Sequence, residues 1–353
     1  ERDALTAARA AHRGEVYAAA PVIDGKGRPG PARSILAPAD GRTLVGTVAE
    51  ATPDLAREAV DRAAAAFPAW SATPVATRAA ALDRLADALE AERPRLMGLL
   101  AAEAGKTLPD ALAEVREAVD FCRYYADEAR RAFGEDRLMP GPTGEENRLT
   151  HRGRGVFVCI SPWNFPLAIF LGQITAALVA GDTVVAKPAE QTPLIAALAV
   201  RLAHGAGVPV GALQFVPGDG AVGAALTADP RVAGVAFTGS TDVARIINRT
   251  LAAKDGPIVP LIAETGGINA MIVDATALPE QVADDVVTSA FRSAGQRCSA
   301  LRLLFLQEDV ADRMEEMIVG AAKELRLGPP ADLAPDLGPV LDADARDRLA
   351  AHV

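Results

Sequence analysis

From Val156 onward, short apolar runs alternate with stretches of helical periodicity, and this alternation narrows the available folds more than any other feature of the chain. The runs span 156–160, 183–186, 214–216, 235–238 and 258–263. Strands separated by helical segments pair in parallel, because a tight turn cannot join parallel neighbours. The pattern therefore predicts a parallel sheet with crossover helices. A further βα pattern opens at 270–273, continues in a helix from Leu278, and reaches a strand over 301–306 and a helix over 310–325. A second α/β domain is thus expected to start near residue 270, followed by a Pro/Gly-rich segment over 328–339.

Upstream the periodicity is different. Residues 1–20 and 52–134 are rich in Ala, Leu, Arg and Glu with apolar residues at helical spacing, which predicts amphipathic helices. Thr52-Pro53-Asp54 reads as a helix start, and 29–46 as strands and turns. Between 139 and 155 the Pro/Gly-rich stretch and the polar run after it predict a β-hairpin arm.

With 353 residues, half of them hydrophobic, the chain can bury a large core in two or three domains. A net charge of −10 argues against nucleic acid as a partner. Three cysteines far apart make no disulfide framework, and neither they nor the four scattered histidines have metal-ligand spacing, so no metal and a reducing, cytoplasmic compartment are expected. The uncharged stretch 155–181 is broken by Pro162, Asn164, Pro166 and Gln173, so no membrane span is expected. The N-terminus has neither an initiator Met nor a signal-peptide pattern, which reads as a piece of something longer.

The residues that carry chemistry cluster in the second half. Cys298 lies in Ser293-Ala294-Gly295-Gln296-Arg297-Cys298-Ser299, polar and glycine-containing surroundings beside a guanidinium that favours a thiolate; Cys122 and Cys159 sit in apolar runs and read as core. On its own Cys298 is either a small core residue or a nucleophile, and Glu264 in Ala263-Glu264-Thr265-Gly266-Gly267 either a surface acid or a base. Gly218-Asp219-Gly220-Ala221-Val222-Gly223 follows a strand and opens a helix, as a dinucleotide loop does, and reads equally as a simple turn. Strand 235–238 runs into Gly239-Ser240-Thr241-Asp242-Val243, where helix N–H groups can meet a phosphate. Lys187 and Glu190, at the end of strand 183–186, can reach ribose hydroxyls, with the carboxylate favouring NAD over NADP, or form a solvated strand end and cap.

Together Ser161-Pro162-Trp163-Asn164-Phe165-Pro166, Lys187-Pro188-Ala189-Glu190, Phe237-Thr238-Gly239-Ser240, Glu264-Thr265-Gly266-Gly267 and Gly295-Gln296-Arg297-Cys298 resemble the aldehyde dehydrogenase superfamily in motif, order and spacing. Residues 264–273, 293–302 and 117–126 resemble more narrowly the glutamate-semialdehyde (1-pyrroline-5-carboxylate) dehydrogenase branch and the dehydrogenase half of bifunctional proline utilization A. The resemblance implies an α/β fold with a Rossmann-type NAD-binding domain over 33–138 and 156–268, a hairpin oligomerisation arm over 139–155, and a catalytic domain over 269–353, incomplete at its C-terminus. A helical extension is expected over 1–32. The resemblance further implies a homo-oligomer and a linked upstream proline dehydrogenase carrying FAD.

Its implied residue roles follow. Cys298 is the nucleophile, Glu264 the deacylation base and Asn164 the oxyanion donor. NAD is held by Ile160, Ser161, Pro162, Trp163, Lys187, Ala189, Glu190, Gly218, Gly220, Thr238, Gly239, Ser240, Val243, Thr265 and Gly266. Arg297, Ser299, Phe165 and Glu117 meet the semialdehyde. The expected reaction, the second step of proline catabolism, is NAD-dependent oxidation of L-glutamate γ-semialdehyde to glutamate through a thiohemiacetal and a thioester. Alternatives are another aldehyde dehydrogenase, including a CoA-acylating one, and a non-catalytic nucleotide-binding or oligomerisation module.

Overall fold

The computed structural model describes residues 14–352. It opens with β1 (Tyr17–Ala19), β2 (Val22–Ile23), β3 (Lys26–Gly27), β4 (Ala32–Leu36) and β5 (Leu44–Ala49). The helical reading of 1–20, and of 1–32 as an extension, is corrected over 17–27, which carry three short strands; its part over 1–13 lies outside the described residues. β1 pairs in parallel with β5, which buries Tyr17. Gly46 permits the approach, because a Cβ there would lie 2.3 Å from the Tyr17 carbonyl oxygen. Tertiary pairing has overridden an alanine-rich, helix-like composition.

Four helices follow, α1 (Pro53–Ala72), α2 (Val75–Ala91), α3 (Arg93–Ala104) and α4 (Leu108–Phe133). Thr52 caps α1 by accepting from the Leu55 N–H, with Pro53 in the first turn where its missing donor costs nothing. Thr107 caps α4 in the same way. An exposed antiparallel hairpin, β6 (Arg137–Met139) and β7 (Asn147–Leu149), comes next, with Arg137 opposite Leu149.

The main sheet is built from β8 (Val156–Ile160), α5 (Ala168–Ala180), β9 (Thr183–Lys187), α6 (Pro193–Gly205), β10 (Leu213–Phe215), α7 (Gly220–Ala228), β11 (Val232–Gly239), α8 (Thr241–Ala252) and β12 (Leu261–Thr265). Its seven strands run β12-β11-β8-β9-β10-β2-β3, the first five mutually parallel and β2 and β3 antiparallel additions. The sheet thus recruits residues before 33. Period-two alternation divides the core. Phe157, Cys159, Val184, Ala186 and Phe215 pack with α2 to α6, whereas Val156, Val158, Val185, Val235 and Phe237 pack with α1, α7 and α8.

Beyond the sheet, β13 (Asn269–Val273), α9 (Pro279–Phe291), β14 (Leu301–Leu306), α10 (Glu308–Lys323) and α11 (Ala343–His352) complete the described chain. β13 and β14 pair in parallel over a small core that includes Val273, Val286 and Met314. Among the described residues no helix is long and apolar enough to cross a membrane.

Candidate active site

Strand order in the main sheet reverses between β8 and β11, so the helices after these two strands leave on opposite faces and a crevice opens beyond the strand carboxyl ends. Here β8 runs into Ser161-Pro162-Trp163-Asn164 and β11 into Ser240, whose Oγ caps α8 by accepting from the Val243 N–H at 3.2 Å. A cavity of about 870 Å³ occupies this crevice. It is lined by Ile160, Ser161, Pro162, Trp163, Asn164, Ala189, Thr238, Gly239, Ser240, Val243, Thr265 and Gly266, and by Arg297 and Cys298.

The crevice suits a dinucleotide. Ser161 is buried and its Oγ has no partner within the protein, although an unsatisfied buried hydroxyl costs about 1–3 kcal/mol. A ligand hydroxyl or amide removes that cost, and the N-terminus of α8 favours a phosphate beside it. Lys187 is buried at the end of β9 and donates to the Pro188 carbonyl at 3.2 Å. Burial holds its pKa below the usual lysine value, with Glu190, Asp219 and Glu50 opposing.

Lys187, Glu190, Gly218 and Gly220 are not among the residues lining the crevice. At the start of α7, Asp219 Oδ1 already accepts from the Ala221 and Val222 N–H groups that a bound phosphate would use. Gly218 serves packing, since a Cβ there would lie 2.6 Å from Val222 Cγ2.

Cys298 belongs to a strained loop. After α9 the chain turns through Ser293 (φ 56°), Ala294 (φ 54°) and Gly295 (φ 67°), three left-handed residues in succession, two of them carrying a Cβ. Asp110, in the first turn of α4, holds this turn by accepting from Arg292 and, at 2.8 Å, from Ser293 Oγ. Gln296 donates to the Ser293 and Pro339 carbonyls and accepts from the Leu341 N–H at 2.9 Å. Asn269 Nδ2 donates to the Cys298 and Ala300 carbonyls at 2.7 and 2.9 Å. Arg297 donates to the Thr288 and Ser289 carbonyls of α9, so its guanidinium secures the loop.

The result is one exposed thiol beside two buried ones. Asn164 Nδ2 reaches the same loop, donating to the Gln296 carbonyl at 3.0 Å. On the far side of Cys298 lies a second, largely apolar cavity of about 500 Å³, which Glu264 also lines. Phe121, Tyr125, Ile169, Gly172, Gln173 and Ala236 form much of its wall, and Phe237, Thr238 and Cys298 border both cavities.

Phe165, Glu117 and Ser299 line neither cavity. Phe165 and Glu117 are instead neighbours of Lys106, whose ammonium stands 4.2 Å from the Phe165 ring centroid and 2.6 Å from Glu114. Burial raises the Glu117 carboxyl, with Glu114 adding to the rise and Lys106 opposing it. Ser299 is exposed next to the thiol. Sequence reasoning missed Asp110, Gln296, Asn269 and Lys106. Gln296 and Asn269 lie inside the quoted motifs, which mark the segment and not their part in holding the loop, and Asp110 and Lys106 lie outside every motif; only contacts between distant segments reveal these roles.

The aldehyde dehydrogenase family model matches residues 28–353. The chain belongs to the aldehyde dehydrogenase family. It is 52% identical over 337 residues to the bifunctional protein PutA of Klebsiella aerogenes, covering 94% of this chain and 24% of that protein. It is 40% identical over 320 residues to the 1-pyrroline-5-carboxylate dehydrogenase of Anoxybacillus flavithermus, covering 90% of this chain and 62% of that protein. A crystal structure of 1-pyrroline-5-carboxylate dehydrogenase from Thermus with bound NAD superposes with a TM-score of 0.95 at 35% identity, over 99% of this chain and 69% of that one. The chain therefore spans about a quarter of the PutA relative and under two thirds of the stand-alone enzyme.

Proposed function

We propose that this family member oxidises L-glutamate γ-semialdehyde, formed by opening of 1-pyrroline-5-carboxylate, to L-glutamate with NAD, as the second step of proline catabolism. The observation that carries this reading is the position of Cys298 between two cavities, a switch-point crevice on one side and a pocket holding Glu264 on the other. The branch follows from the similarity to PutA and 1-pyrroline-5-carboxylate dehydrogenases.

In the proposed cycle the Cys298 thiolate attacks the aldehyde carbon, and the oxygen of the resulting thiohemiacetal takes up negative charge beside the Asn164 amide. A single such donor is worth about 3 kcal/mol to the transition state. NAD, held in the crevice by its lining residues, would supply the hydride acceptor, and loss of hydride from this carbon leaves a thioester on Cys298. Glu264 takes a proton from water, which attacks the thioester carbon; glutamate leaves and the thiolate is regenerated. Ser161 and the α8 N-terminus hold the dinucleotide, with Lys187 and Glu190 at its ribose. The amino-acid end of the substrate is assigned to Phe165, Glu117 and Ser299, although none of the three lines either cavity, with Arg297 fixing the loop beside Ser299.

The reading extends to organisation. Residues 33–138 and 156–268, with the two short strands before residue 33 that the sheet recruits, form the cofactor domain and 269–353 belong to the catalytic domain. The arm over 139–155 joins subunits, and by analogy with PutA a proline dehydrogenase with FAD is linked upstream. In the full-length protein, Cys298→Ala is expected to abolish NADH formation from the semialdehyde, while Glu264→Gln retains a single burst of NADH and loses turnover. Continued turnover in Cys298→Ala overturns the proposal. Turnover that requires CoA and yields an acyl-CoA shows that a thiol, not water, is the acceptor.

A further inference from the structure

Thr238 and Glu264 are register partners across the parallel strands β11 and β12, so their side chains stand side by side on one face of the sheet, and both line the 500 Å³ cavity. From the opposite wall, Gln173 of α5 donates through Nε2 to Thr238 Oγ1 at 3.0 Å. Its Oε1 is buried with no partner in the protein. A hydroxyl has one hydrogen to give, and once its oxygen accepts from an amide, that hydrogen is directed to a different neighbour. The nearest anionic position along the sheet is Glu264.

We propose that Gln173 is a positioning residue for the water-dependent half of the reaction. Its amide N–H occupies Thr238 Oγ1 and turns the Thr238 hydroxyl hydrogen toward the Glu264 carboxylate and the water that the carboxylate activates. Gln173 Oε1 supplies a second acceptor for that water, and the methylene stem of Gln173 joins the apolar wall. A charge-assisted hydrogen bond to one carboxylate oxygen leaves the other free to take the proton. Acylation of Cys298 makes no use of this chain of groups.

The inference rests on Cys298 and Glu264 acting as proposed above, and its test separates the two. With p-nitrophenyl acetate and the full-length protein, the thiolate displaces p-nitrophenolate in a burst, and hydrolysis of the acetyl-thioester by water then sets the steady rate. In Gln173→Met the burst is expected to keep its rate and amplitude while the steady rate falls about tenfold, the size of one lost positioning interaction in general-base catalysis. Thr238→Val is expected to lower the steady rate as well, and the double variant to lose no more than Gln173→Met alone. Retained hydrolysis in Gln173→Glu, whose carboxylate can only accept, would place the Thr238 hydrogen on residue 173 and overturn the inference. So would additive losses in the double variant, or a normal steady rate in Gln173→Met. If Gln173→Met fails to fold, Thr238→Val and Gln173→Glu carry the same readout. A missing burst in the wild-type protein, or a steady rate unchanged in Glu264→Gln, removes the underlying assignment as well.

Discussion

At the scale of single residues, the three cysteines show how position decides chemistry. Cys122 and Cys159 are fully buried, and burial pushes the Cys122 thiol up to about 12 and the Cys159 thiol further still. Neither offers a thiolate at neutral pH, and neither is reached by solvent. Cys298 is exposed on its loop. Iodoacetamide applied to the folded protein is expected to modify Cys298 alone, read by peptide mass spectrometry, and labelling of all three only after unfolding. Adducts on Cys159 at the rate of Cys298 would contradict the burial described here. The apolar neighbours of Cys122 and Cys159 and the polar, glycine-containing neighbours of Cys298 already signalled this difference in the sequence.

At the scale of elements, two local arrangements store or shift stability. The left-handed turn at Ser293 and Ala294 carries two side chains in a conformation that costs about 1–2 kcal/mol per residue with a Cβ. Ala294→Gly is expected to stabilise the fold by about 1 kcal/mol, seen as a higher urea midpoint, because glycine adopts positive φ freely. That gain is expected to come with slower acylation, since the turn fixes where Cys298 stands. The second arrangement lies at the start of α6, where the buried Glu103 carboxyl accepts from the Leu194 and Ile195 N–H groups at 2.7 and 2.9 Å. Burial raises its pKa to about 8 despite those two bonds and the Arg33 charge. The folded state therefore holds this proton more tightly than the unfolded chain. The associated stability is complete below the ordinary carboxylate range and is lost as pH rises through about 8. Urea midpoints from about pH 5 to about pH 9 are expected to fall with this profile in the wild-type protein and to flatten in Glu103→Gln.

At the scale of the whole molecule, the sheet reversal and the loop before β14 bring together segments more than a hundred residues apart. Asn164 reaches Gln296 across 132 positions, and Asp110 reaches Ser293 across 183. The hairpin of β6 and β7 stands apart from these contacts and exposes Leu138, Met139 and Leu149. If it joins subunits, Leu138→Asp with Leu149→Asp in the full-length protein is expected to lower the mass measured by sedimentation without unfolding the α/β core. An unchanged mass would remove the hairpin from the assembly.

What was legible in the sequence follows from local physics. Strands 156–160 and 301–306 were readable to the residue, because short runs, wholly apolar in the first and broken only by Arg302 in the second, between helical stretches leave few other conformations. That Cys298, Glu264 and the crevice residues gather at one place was foreshadowed by ordered motifs, since close approach of backbone to ligand demands glycines and small polar residues at fixed spacing. Strand β1 was misread as helix because its alanine-rich sequence favours helix, and only pairing with β5 overrides that preference. Likewise nothing in the neighbourhood of Asp110 or Gln173 marks them, and the motif around Gln296 does not show what that side chain holds. Each owes its role to a hydrogen bond with a partner 45 or more positions away, a distance that only the folded sheet closes. The sequence by itself determined the central strands of the main sheet, the family motifs and which groups are candidates for the reaction. The tertiary structure alone decided how those groups are held, because orientation depends on contacts between segments that local propensity cannot register.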